Sequence, residues 1–307
     1  MLTDPPLALN TPQTYLHKYF EPAPSLRHLV GTQPEQFFVV RVEEMYRHVR
    51  GPVPAVRSAA HTALFITSGA ARMAVGYDHY TAGPGELLLV PAGQVHSFEP
   101  HDVNTGFLCH FHPDLLRRGG TTEPEFLTGW GHPHLRFAPG AAEFIQALFQ
   151  RMLAVYQQQG LAAQGVLLAH LAALLAEASH AYQPQSGPAP SAATALTQAF
   201  KRQLSQRVRQ EHRVAAYAES LHITPNHLNK VVRATTGKSP TRWIDEALVL
   251  EAKALLFQTT LPVAEVATLV GVPDASYFSR LFKKLEGHSP SALRQTVATG
   301  QPPIETS

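Results

Sequence analysis

Apolar residues recur along this chain in two different rhythms. Up to about residue 115 they form short β-type runs at 37–42, 64–67 and 87–90, separated by Gly and Pro. From Ala141 the period turns helical. Phe144, Leu148, Met152 and Val155 recur at steps of three and four, as do Leu167, Leu171, Leu174 and Leu175. Gly160 divides this stretch into two predicted helices, 141–159 and 161–182. Residues 183–193, QPQSGPAPSAA, carry three prolines and no charge, which describes a semi-extended linker. The pattern beyond it is helical throughout. The predicted fold class is therefore α+β. A β unit spans 1–140, a helical pair 141–182, the linker 183–193 and an all-α domain 194–298.

Composition narrows the class. The chain has 307 residues, 44% hydrophobic and 16% charged, with a mean hydropathy of -0.10. That is enough apolar surface to offset chain entropy, so a largely disordered protein is excluded. One cysteine, Cys109, excludes an intramolecular disulfide framework and a Cys-rich zinc module. The apolar run 166–175 is broken by His170 and falls short of the roughly 20 residues a membrane span needs. The N-terminus carries Asp4, Pro5 and Pro6 with its first basic residue at Lys18, unlike a secretory signal. The expected compartment is the cytoplasm.

Charge divides unevenly. Residues 1–193 hold 11 Lys+Arg and 14 Asp+Glu, a net of -3; residues 194–307 hold 14 and 9, a net of +5. A basic domain beside an acidic one points to a polyanionic partner for the second half alone.

The basic half contains an internal repeat. NHLNKVVRATTGKSP at 226–240 aligns with SYFSRLFKKLEGHSP at 276–290, offset by 50. Leu228 matches Phe278, Lys230 matches Arg280 and Gly237 matches Gly287. Ala218 and Ala267 precede the two copies, each four residues before a turn position, His222 or Gly271. Helix, short turn and helix make the helix-turn-helix unit, in which the alanine lets two helices approach. The turn often requires positive φ, which Gly271 supplies freely and His222 only with strain. In the second helix Leu228, Val231 and Val232 share one face, as do Phe278, Leu281 and Phe282. Asn226, His227, Asn229, Lys230 and Arg233 point elsewhere in the first copy. In the second, Ser276, Tyr277, Ser279, Arg280, Lys283 and Lys284 do so. One such face alone would read as a solvated surface. Two copies at fixed offset, rich in donors for base edges and phosphates, predict binding to double-stranded DNA. A helix from Ser239 and Pro240 to about Leu256 would be a rod of roughly 25 Å. Such a rod could present the two reading helices about one DNA turn, near 34 Å, apart.

At these residues the chain resembles the AraC family of bacterial transcription regulators. The likeness covers about 194–293, through ITPNHLNKVVRATTGKSP and LLFQTTLPVAEVATLVGVPDASYFSRLFKKLEGHSPSALR. It implies two helix-turn-helix units acting as one double reader, with activation through contact with RNA polymerase. The chain departs from the family at Leu248, where an arginine is usual, at Val272 in place of Phe, and at Pro273 in place of a capping Ser.

In the first half, Gly85, Pro91, Gly93 and His96 fit a strand–turn–strand and resemble the second cupin motif, G-x5-P-x-G-x2-H. The segment VRSAAHTALFITSG before it offers Arg57, His61 and Thr62 where a metal cupin has two His and a Glu. A metal centre needs three or four convergent ligands, so metal-dependent catalysis is disfavoured and neither metal nor cofactor is expected. His110 and His112, two apart, would share one side of a strand. With His61 and His96 they read either as hydrogen-bonded barrel residues or as the lining of an organic ligand pocket. Cys109 is expected in the core, on the face opposite His110. The family likeness implies a cupin-like β-barrel that senses a small-molecule effector, with His61, His96 and His110 as candidate pocket residues. It implies that the helical pair dimerises, although packing of that pair on the barrel explains the pattern as well. The leading function is an effector-responsive transcription regulator. A cupin-type enzyme with an accessory DNA-binding domain and a ligand-independent architectural DNA protein are the alternatives.

Overall fold

The computed structural model describes residues 30–48, 55–98, 103–118, 124–127, 134–182 and 191–299. It divides into two compact units, Met1–Pro184 and Gln185–Ser307.

Among the described residues the first unit has nine strands: β1 Phe37–Arg41, β2 Val56–Arg57, β3 His61–Gly69, β4 Ala71–Val75, β5 Asp78–Ala82, β6 Glu86–Val90, β7 Val95–Phe98, β8 Asn104–Phe111 and β9 His134–Arg136. They form a five-stranded sheet, β1-β8-β3-β6-β9, and a four-stranded sheet, β2-β7-β4-β5. The apolar runs at 37–42, 64–67 and 87–90 fall on β1, β3 and β6, and their lack of alternation has a cause: both faces of the larger sheet are covered. Cross-strand partners share a face. Phe37 pairs with Phe111, and His61 pairs with the same Phe111. Phe65 pairs with both Phe107 and Leu87. These residues turn toward α3, Pro139–Gln159. Phe149 stacks on Phe65 and Phe107 at 5.7 and 5.5 Å, and Tyr156 meets Phe37 edge-on at 5.6 Å. The Tyr156 hydroxyl also donates to the carbonyls of Val30 and Phe37. The opposite face carries Phe38, Thr62 and His110 in one row and Val40, Leu64 and Leu108 in the next. It forms the barrel interior with the inward side of the smaller sheet, where Ala71, Met73 and Val75 are buried and Arg72 is exposed.

Several expectations change here. Val42 does not continue β1 but opens α1, Val42–Tyr46. His112 lies beyond the end of β8, so it does not share a strand face with His110; its Nδ1 instead accepts the Asp114 amide at the start of α2, Pro113–Arg118. Phe144 is exposed, and the buried stripe of α3 is Ile145, Leu148, Phe149, Met152, Val155 and Tyr156.

Gly160, at φ 55°, ends α3, and a 3-10 turn over Gly160–Ala163 leads to α4, Gln164–Ala181. By length and composition, the stretch Pro139–Ala181 is long and apolar enough to cross a membrane. In this fold its Leu167, Leu171, Leu174, Leu175 and Ala178 are buried within the unit.

Residues 183–190 of the expected linker lie outside the described residues. Its last three do not extend it. The Ser191 side chain accepts the Thr194 amide and caps α5, Ala192–Arg207, so a helix begins where the proline run ends.

The second unit is all helical. After α5 come α6 Val214–Ser220, α7 Pro225–Thr236, α8 Pro240–Gln258, α9 Val263–Leu269, α10 Ala275–Glu286 and α11 Pro290–Thr299. Its core gathers Phe200, Leu204, Tyr217, Leu228, Val232, Trp243, Val266, Phe278 and Phe282, all buried. Leu248 is buried in α8, so the position where the family usually has an arginine is a packing site in this chain.

A nucleic-acid interface and a barrel interior

The two helix-turn-helix units are α6–α7 and α9–α10. Ala218 and Ala267 are fully buried where each first helix meets its second. His222 and Gly271 both adopt positive φ, 56° and 84°. His222 is the only non-glycine to do so among the described residues. Each second helix has its own cap. The Thr224 hydroxyl accepts the His227 amide at 3.2 Å, and the Asp274 carboxylate accepts the amides of Ser276 and Tyr277 at 2.9 and 3.0 Å. The proline at 273 therefore removes no cap: Asp274, one residue on, aligns with Thr224 at the repeat offset. Gly237 and Gly287 end α7 and α10 in matching left-handed turns, and Ser239 caps α8 through the Arg242 amide.

The repeat extends to exposure. Leu228 and Phe278 are buried, as are Val232 and Phe282. Asn226 and Ser276, His227 and Tyr277, Lys230 and Arg280, and Arg233 and Lys283 are exposed in both copies, and Asn229 and Ser279 are half-buried in both. Val231 is only half-buried, whereas its counterpart Leu281 is buried. Among the described residues, Lys230, Arg233, Arg280 and Lys283 make no ion pair, so their charges stay available. Two candidates have other engagements. Asn229 Nδ2 donates to the Pro225 carbonyl one turn back. Lys284 lies close enough to α8 to act on Asp245, whose carboxyl burial raises above its ordinary pKa while Lys284 and Arg242 pull it down. Behind this surface, Trp243 Nε1 donates to Thr236 Oγ1, joining the end of α7 to α8, and the Lys201 and Lys238 ammoniums lie over its ring at 4.2 and 5.1 Å.

In the barrel, the register separates the three candidate histidines. His110 shares the inward face with Thr62, whose Oγ1 lies 3.1 Å from His110 Nδ1. His96 pairs with Val56 and Val75 on the inward face of the other sheet. His61, one residue before Thr62 on the same strand, faces the other way, against the Phe111 ring at 5.2 Å, with its Nδ1 accepting the Ala92 amide. Only His96 and His110 thus meet in the interior. Burial, reinforced by the neighbouring His96, His61 and His112, lowers the His110 pKa to about 3. Burial likewise lowers His96 to about 4, against a hydrogen bond to Gln94 that works the other way. His61 falls to about 4 by burial and the nearby His112. All three are neutral at neutral pH. Arg57 is tied to the turn after β6, donating to the Gly93 carbonyl. Cys109 is fully buried facing α3, and burial pushes its thiol pKa up. No three His, Cys, Asp or Glu side chains converge as metal ligands among the described residues.

Sequence patterning missed a second polar group. Glu86 on β6 holds His134 at 2.8 Å and Arg136 at 2.9 Å, both from β9, and accepts the Gly83 amide. Burial opposes the Glu86 charge, but the Gly83 amide, His134 and Arg136 outweigh it, and its pKa lies below the usual value. A three-residue strand reached by a long connection leaves no periodic signal to find.

Comparisons with known proteins fit this division. The AraC-like ligand binding domain matches residues 53–175, and a helix-turn-helix domain matches 217–296. The arabinose operon regulatory protein of Salmonella typhimurium is 28% identical over 226 residues, 71% of this chain and 77% of that protein. The MmsAB operon regulatory protein of Pseudomonas aeruginosa is 28% identical over 251 residues, 80% and 78% of the two chains. Among solved structures, unsaturated fatty acid bound ToxT from Vibrio cholerae is 14% identical with a TM-score of 0.43, over 87% of this chain and 97% of that one. A ligand-binding β unit and a double helix-turn-helix on one chain define a DNA-binding transcription regulator with an effector-binding domain. The chain belongs to the AraC family.

Proposed function

We propose that this regulator activates transcription by reading DNA with α7 and α10, and that the barrel around His96 and His110 takes the small-molecule effector controlling it. The matched exposure of the two reading helices carries the proposal, because a merely solvated face has no reason to repeat its donors at a fixed offset. Asn226, His227, Asn229, Lys230 and Arg233 read one half-site, and Ser276, Tyr277, Ser279, Arg280, Lys283 and Lys284 the next. The free guanidinium of Arg280 and the ammonium of Lys230 suit the O6 and N7 acceptors of guanine. Contact with RNA polymerase, a cytoplasmic location and a role other than catalysis complete the reading. A role other than catalysis is supported by Arg57 and Thr62, which stand where a metal cupin has ligands, and by the opposed direction of His61, which turns away from His96 and His110.

The helical pair does two jobs in this proposal. The buried stripe of α4 packs within the first unit, while Val166 and Ala169 on its outer side are exposed and suit contact with a second copy.

Gel shifts on a cognate operator and on random DNA, across a salt series, test the reading. Lys230→Ala and Arg280→Ala should each weaken specific binding by about 1–3 kcal/mol with little effect on random DNA. Lys283→Ala should weaken both and reduce the salt slope by about one. Lys283 is a cleaner probe than Lys284, which also serves Asp245. Equal losses on both DNAs for Arg280→Ala would remove it from base reading.

A further inference from the structure

The barrel interior shows what kind of molecule fits it. Residues on the helix-facing side of the larger sheet are sealed: Ala63 and Cys109 have 0% exposure. The inward side is sealed over Leu64 and Leu88, at 0%, and over Val40 and Met73, at 1%, but Leu108, His96 and His110 each keep 6%, and Val75 keeps 8%. Residual accessible surface therefore gathers around the two inward histidines. There His110 Nε2 is buried with no hydrogen-bond partner, while its Nδ1 is taken up by Thr62. A buried, unpartnered ring nitrogen on a side chain so deeply enclosed destabilises the empty barrel. A bound molecule that supplies its partner recovers that cost. His96 adds one more group: its Nδ1 is 3.3 Å from the Gln94 carbonyl and must donate to it, leaving Nε2 as an acceptor.

Apart from Thr62 and the hydroxyl of Tyr80, across from Met73, the inward surface around this pair is apolar: Phe38, Val40, Leu64, Leu88, Val56 and Met73. Among the described residues, the charges on this face are matched or exposed: Glu86 holds His134 and Arg136, and Asp78, across from Val75, is exposed. An anionic effector would lie buried without a counter-charge, and a polyol would leave most of its hydroxyls unpaired.

Resting on the barrel as the effector site, we propose that the effector is an uncharged, largely apolar small molecule with one hydroxyl or carbonyl oxygen hydrogen-bonded to His110 Nε2. The two histidines act as polar fixing points in an otherwise apolar cavity.

The test uses the full chain and fractions of a host metabolite extract as probes. The extract is separated into an anionic fraction, a neutral fraction retained on a reversed-phase column, and a neutral unretained fraction holding sugars and polyols. Thermal unfolding is followed with each, for the wild type, His110→Leu and His110→Gln. The neutral retained fraction should raise Tm by several degrees. His110→Leu should abolish the shift, and His110→Gln, which keeps an N–H donor, should restore part of it. A shift from the anionic or the unretained fraction would overturn the proposed chemistry while leaving the effector site in place. A shift that survives His110→Leu would overturn the role of His110. If no fraction shifts Tm, the effector reading falls and this proposal with it. His110→Leu that fails to fold is replaced by His110→Gln with native mass spectrometry of the retained molecule, where only a neutral apolar mass supports the proposal.

Discussion

His222 and Gly271 hold the same turn position in the two helix-turn-helix units, and both sit at positive φ, 56° and 84°. The two sites are nevertheless unequal in their surroundings. His222 is exposed, whereas a Cβ at Gly271 would stand 2.3 Å from the Arg209 carbonyl oxygen and 2.9 Å from the His212 ring.

Opposite outcomes are expected at these turns. His222→Gly relieves a left-handed strain of about 1 kcal/mol, partly offset by the entropy of the unfolded glycine, so the second unit should be unchanged or slightly more stable. Gly271→Ala meets backbone and should destabilise by on the order of 2 kcal/mol or more. Denaturant unfolding followed by Trp243 fluorescence, in a Trp130→Phe background, separates the second unit from the first. A Gly271→Ala variant of wild-type stability would refute the close approach.

Asp274 carries the entry to α10 through two amide hydrogen bonds, and Thr224 the entry to α7 through one. Asp274→Ala should cost about 1 kcal/mol, near the upper part of the range for caps, and Thr224→Ala less. The same fluorescence measurement ranks them; the reverse order would show that the second unit is capped elsewhere.

Stability of the first unit should fall with acid before its carboxylates titrate. His61, His96 and His110 have folded pKa values of about 4, 4 and 3 against an ordinary 6.5. The unfolded chain binds their protons first. Stability from these three is therefore complete above pH 6.5 and is lost as pH falls toward 4, at up to about 1.4 kcal/mol per unit for each. A Tm series from pH 7.5 to 5 should slope down, and His96→Phe should flatten it. A level wild-type curve would mean that the rings are hydrated or charged in the folded state.

Proteases should cut first within 183–190, because this proline-rich, uncharged stretch has no apolar period to bury. The fragment beginning near Ser191 contains both reading helices and their shared core. It should bind DNA without effector response, and bind paired sites more weakly if α4 is the dimer contact. Mass spectrometry of the fragments and gel shifts check this; a folded fragment with no DNA binding would show that the first unit contributes to the interface.

Sequence alone determined whatever is encoded locally. The repeat offset, the Gly237 and Gly287 turns, the buried alanines and the polar faces of α7 and α10 follow from periods of 3.6 residues and fixed turn chemistry, so they were legible before any fold was known. The Asp274 cap was also there to be found, as an acidic residue just before an apolar helical period. Tertiary structure decided which side of a strand each barrel histidine faces. His61 and His110 share a buried sheet, yet only register, set by pairing across 48 residues between Thr62 and His110, sends one toward α3 and the other inward. A single-residue slip of β3 against β8 would turn His61 to the face that His110 occupies, since side chains alternate along a strand and a run buried on both faces carries no polar alternation to mark which is which.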